Sequence, residues 1–334
     1  MRDPVTGFLY PESWQEKVAN PQALDLVGQG FAVLTASGTI LRRGYTTGTT
    51  AAAACKAAIL SLSREVSRVT VLLPCSISAD VPVAARAGHA SCKKYAGDYP
   101  GDVTAGIEFV AEAVGAPDGL TLVPGPGIGH FSRDTPRYRE GAPAISEAPL
   151  ACILQAMQEA LDATGLSGAT VTLSIPEGAR VAKKTLNPRV GVMGGISVLG
   201  STGLVEPWDD HLEESVRARL SGTKNVVLTT GRVGLRYSRL LFPDREVVLA
   251  GGRIGEALSA AQGDVILCGL PALILKYIDP HILDGTGFAT VEELAASPAF
   301  LPVAGPVLAA FRKKYPRVRV VLVNRDGKII AESP

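Results

Sequence analysis

A hydroxyl-rich loop at positions 45–50, YTTGTT, contains the side chains that are best suited to binding or catalysis. The loop runs directly into residues 51–60, a block of helix formers dominated by alanine. Threonine ahead of such a block is a good N-cap, so we predict that a helix begins near Thr49 or Thr50. Unpaired N–H groups and a partial positive charge at a helix N-terminus, beside hydroxyls and Gly48, predict an anion-binding pocket. The alternative is an ordinary loop that caps a buried helix, and the pattern leaves both open.

The cysteines and histidines do not indicate a metal centre. The five cysteines are odd in number, widely spaced and without a CxxC pair, which is typical of buried free thiols in a reducing cytoplasm. The four histidines are scattered without the spacing of metal ligands. We therefore expect no metal site built from protein side chains.

Composition describes a chain with a large apolar core. The length of 334 residues fits two domains, 46% of the residues are hydrophobic and 19% are charged. The net charge of +1 gives no global field that would attract nucleic acid or an anionic membrane. The N-terminus lacks the apolar core of a signal peptide, and the longest apolar stretch, residues 265–278, is too short to span a bilayer. We expect a cytoplasmic protein, with a homo-oligomer left open.

Hydrophobic patterning predicts an N-terminal mixed α+β domain over residues 1–221. Strands are predicted at 67–73, 120–123 and 169–175, and apolar residues at helical spacing predict a helix over 149–164. The stretch 191–203, GVMGGISVLGSTG, contains too many glycines for a stable helix and predicts a strand or a buried segment between closely packed backbones.

A second, Rossmann-like α/β domain with a parallel sheet is predicted over residues 222–334. The stretches that begin at Asn225, Val247 and Asp264 each consist of an apolar strand, a glycine turn and a helix. Three such units predict a parallel sheet with ligand-facing loops at the carboxyl ends of its strands. The GGRIG at 251–255 is shorter than a GxGxxG fingerprint, so it is weak evidence for a nucleotide. Residues 317–323 and 328–331 predict a closing hairpin.

Four segments of this chain resemble the CbiD family of cobalamin biosynthesis. Residues 44–58, GYTTGTTAAAACKAA, are similar to that family's opening signature, and the similarity returns at 92–106 and 141–145. It is longest at 181–207, VAKKTLNPRVGVMGGISVLGSTGLVEP. The resemblance implies a methyltransferase that passes a methyl group from S-adenosylmethionine to C1 of cobalt-precorrin-5B to give cobalt-precorrin-6A. Cobalt then enters only as part of the substrate.

The implied substrate, a corrinoid fringed with carboxylates, calls for a ring of cationic side chains. The candidates are Lys93, Lys94, Lys183, Lys184 and Arg189. Arginine binds a carboxylate with two parallel hydrogen bonds, whereas lysine supplies a point charge. Solvated surface lysines are the alternative for each. Thr46 and Thr49 would offer hydroxyl and backbone donors to the same carboxylates.

The implied reaction is an in-line displacement, which requires alignment of donor and acceptor and no covalent nucleophile. We assign catalysis to Asp102 and Thr47, and assign Asp98 to hydroxyl or amine groups of the methyl donor. Both aspartates lie beside glycines, so a role as turn formers is the alternative. The cofactor's adenosyl group is assigned to the glycine loops at Gly231, Gly251, Gly252 and Gly255.

The sequence also departs from the family pattern. Residues 125–132, GPGIGHFS, lack an acidic residue that many members carry, and Ala105 stands where a histidine is often found. A non-catalytic corrinoid carrier or scaffold is therefore kept as the alternative function. A phosphate- or nucleotide-using enzyme is a second alternative, although the chain has no GxxxxGK[ST] loop.

Overall fold

The computed structural model describes residues 1–134, 138–185, 187–188, 190–207, 220 and 224–334 of a mixed α/β chain. Contacts divide the chain into two compact units. Unit 1 comprises Met1–Gly28, Val33–Ile40 and Asp210–Pro334, and unit 2 comprises Gln29–Ala32 and Leu41–Asp209. This division differs from the predicted one at the N-terminus, because the first 28 residues belong to the unit that holds the C-terminus. The predicted boundary near 221–222 lies outside the described residues and stays a prediction.

The helices in the described ranges are α1 (Glu12–Gln15), α2 (Leu24–Gly28), α3 (Thr47–Leu60), α4 (Glu147–Thr164), α5 (Gly178–Ala182), α6 (Arg232–Leu241), α7 (Ile254–Ala260), α8 (Pro271–Ile278), α9 (Val291–Ala295) and α10 (Phe300–Lys314), with a 3-10 turn at Pro21–Ala23. The first strands are β1 (Ala32–Leu34), β2 (Ile40–Arg42), β3 (Gly44–Tyr45), β4 (Val66–Leu72), β5 (Ser78–Arg86), β6 (His89–Lys93), β7 (Glu108–Ala116), β8 (Gly119–Pro124), β9 (Gly127–Ile128) and β10 (His130–Phe131). The remaining strands are β11 (Gly168–Ser174), β12 (Val192–Met193), β13 (Gly195–Ile196), β14 (Leu204–Val205), β15 (Asn225–Thr229), β16 (Glu246–Leu249), β17 (Asp264–Gly269), β18 (Val318–Val323) and β19 (Ile329–Glu332).

Unit 2 is built on a six-stranded sheet in the order β4-β5-β6-β7-β11-β8. Its pairs are antiparallel except that β11 and β8 run parallel. Buried residues alternate with exposed ones along the strands, as at Phe109, Ala111 and Ala113 of β7. One face of the sheet therefore joins the core, while the other carries exposed side chains.

Helix α3 forms the centre of the unit 2 core. All of its residues except Lys56 are buried, and it contacts both the sheet and α4. Its small alanine side chains leave room for this close approach. The helix begins at Thr47, two to three residues before the predicted start near Thr49 or Thr50. Thr46 supplies the N-cap, because its hydroxyl accepts the N–H of Thr49 at 3.2 Å.

Other predictions for unit 2 are confirmed with small shifts in their ends. The predicted strands at 67–73, 120–123 and 169–175 are β4, β8 and β11, and the predicted helix at 149–164 is α4. The glycine-rich stretch 191–203 forms the short strands β12 and β13 rather than a helix. The sequence analysis did not assign strand β6, which has no β-branched residue. Its Ala90 and Cys92 are buried because the strand lies between β5 and β7 in the sheet.

The sheet of unit 1 has the order β16-β15-β17-β18-β19. The first four strands are parallel, and β19 returns antiparallel through a turn at Gly327, which has φ +82°. The three predicted strand–turn–helix repeats and the closing hairpin are therefore confirmed. Strands β15 and β17 are buried along nearly their whole length, which is typical of parallel strands covered on both faces. Within the described ranges, no helix combines the length and apolarity needed to cross a membrane.

Candidate functional site

Two of the family-like segments meet at the N-terminus of α3. The Thr47 hydroxyl donates to the Ser197 carbonyl at 3.0 Å and accepts the Leu199 N–H at 2.8 Å. The Thr49 hydroxyl donates to the Gly203 carbonyl at 2.6 Å. We call this contact between residues 46–50 and 195–203 the motif junction. It joins segments about 150 positions apart in the chain, as the separation of Thr47 and Ser197 shows.

The KKTLNP part of the family-like segment 181–207 is attached to the motif junction through Asn187. The buried Asn187 amide donates to the Gly195 carbonyl at 3.0 Å and accepts the Ser197 hydroxyl at 3.1 Å. Its backbone carbonyl accepts the Val192 N–H at 2.8 Å. Asn187 therefore fixes residues 192–197, which include the Ser197 carbonyl bonded to Thr47.

The glycines of this region pack backbone against backbone. A Cβ on Gly195 or on Gly178 would overlap the carbonyl of Gly127, and one on Gly200 would overlap the Thr46 side chain. The sequence predicted closely packed backbones for the stretch 191–203, which includes Gly195 and Gly200. The geometry at these positions is that of tight packing inside the protein.

The threonine hydroxyls of the loop are engaged within the protein. Thr46 and Thr47 are 8% exposed and Thr49 is 1% exposed, and each hydroxyl has a partner in the motif junction or in the helix cap. This geometry matches the capping alternative, in which the loop secures a buried helix. Roles for these threonines in binding a carboxylate or in catalysis stay predictions.

Two predicted site residues, Lys94 and Asp102, form one buried ion pair. The side chains are 2% and 8% exposed, and Lys94 Nζ donates to Asp102 Oδ2. The other carboxylate oxygen accepts the Thr104 N–H at 2.9 Å and its hydroxyl at 2.5 Å. Burial alone would raise the pKa of Asp102, but the Lys94 charge and the Thr104 hydrogen bonds outweigh burial and lower it. Asp102 is therefore an ionised carboxylate held by its neighbours.

The other predicted cations of unit 2 differ from Lys94. Lys93, Lys183 and Lys184 are exposed, and their side chains make no ion pair or hydrogen bond with the described residues. They are available to a ligand carboxylate. Arg189 lies outside the described residues, so its predicted role is neither supported nor opposed.

Asp98 makes two hydrogen bonds with the backbone of Arg42, which fits the alternative role of a turn former. Its carboxylate accepts the Arg42 N–H at 2.7 Å, and its own N–H donates to the Arg42 carbonyl at 3.0 Å. Gly97 beside it has φ +64° and lies against the backbone of residues 42–44. Asp98 thus helps to hold the strand that leads into the threonine loop, and its predicted contact with the methyl donor stays a prediction.

Sequence reasoning missed Arg43, whose side chain is 1% exposed. Its guanidinium donates to the Gly30 carbonyl at 2.9 Å and to Glu206, at 3.2 Å from Nε to Oε2. Strand β3 begins at the residue after Arg43, and its partner β14 ends at the residue before Glu206. The ion pair between Arg43 and Glu206 therefore fixes the far side of the motif junction. The available signal was position, since Arg43 directly precedes the family-like segment 44–58 and Glu206 lies within the segment 181–207.

The glycine loops of unit 1 have space around them. A Cβ added to Gly231, Gly251 or Gly252 would meet no atom of the described chain within 4 Å. These glycines lie two or three residues after the last residue of β15 or β16, at the carboxyl ends of parallel strands. The fully buried Thr229 hydroxyl, at the end of β15, has no hydrogen-bond partner among the described residues. Gly255 is the second residue of α7, where an added Cβ would make ordinary contact with Tyr277 at 3.5 Å.

The cysteines fit the prediction of free thiols. None of the five forms a disulfide, four are buried and Cys75 is half-buried. Burial raises the pKa of Cys92 to about 12 and that of Cys268 to about 11, so both thiols are neutral near pH 7. Within the described ranges, no three His, Cys, Asp or Glu side chains are grouped so that they could hold a metal ion.

Together these features define a mixed α/β protein. Unit 2 contains the motif junction, and unit 1 has glycine loops with open space at the carboxyl ends of its parallel strands. The family model described as CbiD matches residues 34–207. Over the full length of both chains, the sequence is 74% identical to a cobalt-precorrin-5B C(1)-methyltransferase of Methanoregula boonei. It is 59% identical to the protein of that name in Methanoculleus marisnigri, again over all of both chains. The chain belongs to the CbiD family, as the resemblance of its sequence segments implied.

A solved structure supports the same assignment. The crystal structure of the cobalamin biosynthesis protein cbiD from Archaeoglobus fulgidus is similar, with a TM-score of 0.57 and 38% sequence identity. The match covers 83% of this chain and 92% of that one.

Proposed function

We infer that this chain is a cobalt-precorrin-5B C1-methyltransferase, which methylates its corrinoid substrate to give cobalt-precorrin-6A. The observation that carries this inference is 74% identity, over the whole of both chains, to a protein named for that activity. The motifs that gave the family resemblance lie within unit 2, and the segments 44–58 and 181–207 meet at the motif junction, which supports the same function.

For the corrinoid, we propose a site beside the motif junction that binds its peripheral carboxylates. Lys183 and Lys184 follow α5 directly and are exposed, only a few residues before Asn187. Lys93 is an exposed cation at the end of β6, and Arg189 is proposed with them from its place in the same segment. Such cations attract carboxylates and fix the orientation of the macrocycle.

We propose that Thr47 and Asp102 act in the reaction by holding other groups in position. Thr47 secures the backbone of Ser197 and Leu199, and Asp102 holds the buried charge of Lys94. A bare Lys94 cation in this environment would be costly, and its partner keeps it fixed. In-line methyl transfer depends on such alignment and requires no covalent nucleophile, which agrees with the neutral thiols.

We propose S-adenosylmethionine as the methyl donor, held by Gly231, Gly251, Gly252 and Gly255, with Asp98 as a further candidate contact. When bound, it supplies the methyl group from its sulfonium centre. The open space beside Gly231, Gly251 and Gly252 fits a ligand that lies against the backbone. In unit 1 the strand order reverses between β15 and β17, and open parallel sheets bind ligands outside the carboxyl ends of strands at such a point. On that basis we propose a Rossmann-like domain here.

Methyl-labelled S-adenosylmethionine and cobalt-precorrin-5B, made in situ by the upstream enzymes, test the function directly. The purified protein is expected to transfer one labelled methyl group to C1, which product mass and label position measure. Binding of both ligands without transfer would contradict the methyltransferase. Binding of the corrinoid alone would favour a carrier, the second candidate, which the altered loop at 125–132 keeps in consideration.

A further inference from the structure

Unit 1 contains a cavity that lies outside the segments discussed so far. Its volume is about 620 Å³, within the usual size range of small-molecule sites. The lining residues come from the N-terminal segment, the end of α6 and the turn between β18 and β19. None of them falls within residues 34–207, which the family model matches.

The N-terminal wall of this cavity is a built structure. Asp3 is 1% exposed, and its carboxylate accepts the Val5 N–H at 3.0 Å and the Thr6 hydroxyl at 2.8 Å. These bonds close a turn that brings Arg2 and Leu9 into a β-bridge. The wall is therefore held in shape by hydrogen bonds.

Aromatic packing fixes the same wall to the rest of unit 1. The Phe8 ring lies 5.5 Å from Tyr237 and 5.7 Å from Trp14, measured between ring centroids. Gly327, in the turn after β18, lies against the Tyr237 ring so closely that a side chain would overlap it. Trp14, Phe8, Leu9 and Leu241 give the cavity a largely apolar lining.

The charges at this cavity favour an anion. Arg2 and Lys328 line it together with one carboxylate, Asp326. Arg2 Nε donates to the Gly7 carbonyl at 3.0 Å, and its terminal nitrogens make no ion pair or hydrogen bond with the described residues. The Lys328 ammonium makes no ion pair or hydrogen bond with the described residues. Positive charge is in excess by one, since two cations face one carboxylate.

We propose that this cavity binds a small amphipathic anion, with an aromatic or branched apolar body and one acidic group. The apolar body lies against Trp14 and Leu9, where it loses contact with water. The acidic group pairs with Lys328 and Arg2 at the rim. The site is separate from the proposed methyl-transfer function, and either can fail without the other.

The dye 1-anilinonaphthalene-8-sulfonate has this chemistry and is the probe we would use. The full-length protein is expected to bind one equivalent, with saturation and with energy transfer from tryptophan. The chain has two tryptophans, so Trp14→Phe assigns the transfer to Trp14. Raised salt is expected to weaken binding, because part of the attraction is between exposed charges.

Matched variants test the position of the probe. Leu9 is 68% exposed and Leu301 is 58% exposed, both are in unit 1, and only Leu9 lines the cavity. Leu9→Asp is expected to raise the dissociation constant by about tenfold or more, because it removes apolar contact and adds a repulsive charge. Leu301→Asp should leave it unchanged. Lys328→Gln is expected to weaken binding by about threefold, whereas the exposed Lys313→Gln should have no effect.

Several results would overturn this proposal. No binding, binding without saturation, or full affinity in both Leu9→Asp and Lys328→Gln would each do so. Equal losses in Leu9→Asp and Leu301→Asp would also count against it. If light scattering showed a dimer that Leu9→Asp dissociates, the cavity would belong to a subunit contact instead. Thermal unfolding of each variant shows whether a loss comes from misfolding, and both leucines are exposed enough that none is expected.

Discussion

Thr47→Val isolates the hydroxyl at the centre of the motif junction, because valine keeps the shape of threonine. The substitution removes a hydrogen bond to the Ser197 carbonyl (3.0 Å) and one from the Leu199 N–H (2.8 Å). Each such bond stabilises by about 1 kcal/mol, and an amide that loses its partner away from water adds a further cost. We therefore expect a loss of about 2–3 kcal/mol in the free energy of unfolding.

Thermal unfolding measures this loss. For a domain of this size, each kcal/mol lowers Tm by about 2–4 °C, so Thr47→Val should lower Tm by roughly 4–12 °C. The control is Thr121→Val on β8, where the side chain is exposed and makes no hydrogen bond with the described residues. That change should stay within about 0.5 kcal/mol.

Turnover per folded molecule then separates the two roles of Thr47. A lower Tm together with moderately reduced turnover fits a residue that positions the 197–203 segment. If Thr47→Val lowers Tm no more than Thr121→Val does, the two hydrogen bonds contribute no stability and this reasoning fails. If Tm is unchanged and turnover collapses, the hydroxyl acts directly on a ligand.

Three further predictions concern the charges and the glycine loops. Asp102→Asn should destabilise the fold by about 3–5 kcal/mol, because Lys94 is left buried and unpaired. The pKa of Asp102 is lowered in the fold, so its ionised form stabilises the protein at pH values above the unfolded pKa near 4. That stability is lost as the pH falls through the folded pKa. Denaturant unfolding measured against pH should show this loss in the parent protein and not in Asp102→Asn. Lys184→Ala should weaken corrinoid binding by about three- to tenfold and leave S-adenosylmethionine binding unchanged, with the exposed Lys276→Ala as control. Gly252→Ala should leave Tm unchanged, because the added methyl group meets open space, and should weaken S-adenosylmethionine binding by about tenfold in calorimetry.

The opposite outcomes are equally specific. An Asp102→Asn variant as stable as the parent, with the same acid unfolding profile, would show that the ion pair contributes nothing. Equal losses for both ligands in Lys184→Ala would remove that lysine from the corrinoid site. Full S-adenosylmethionine affinity in Gly252→Ala would remove the β16 loop from the proposed cofactor site.

The elements with strong local periodicity could be predicted from sequence. Strands β15 and β17, each an apolar run followed by a glycine turn, and helix α4, with apolar residues at helical spacing, were predicted close to their observed ends. Their signals come from neighbouring residues. Helix α10 was not assigned, since it contains Pro306 and its apolar residues are interrupted near the start.

The site depended on contacts that local signals do not carry. Lys93 and Lys94 were treated alike, but one is exposed and the other is buried against Asp102. Lys93 is the last residue of β6 and Lys94 follows it. Because neighbouring residues in extended backbone point to opposite sides, recognition of β6 would have distinguished them. The bond between Thr47 and Ser197 joins residues that are distant in sequence, and only the resemblance to a family suggested that their segments act together.

The backbone contact among Gly127, Gly178 and Gly195 affects how a sequence pattern should be chosen when related chains are searched for. Any side chain at Gly178 or Gly195 would overlap the Gly127 carbonyl, so glycine is required there by space alone. A search pattern weighted toward these glycines will retrieve chains that share the architecture, whether or not they transfer a methyl group. A pattern meant to detect activity should instead weight exposed, unpaired positions such as Lys184, which packing leaves free to vary.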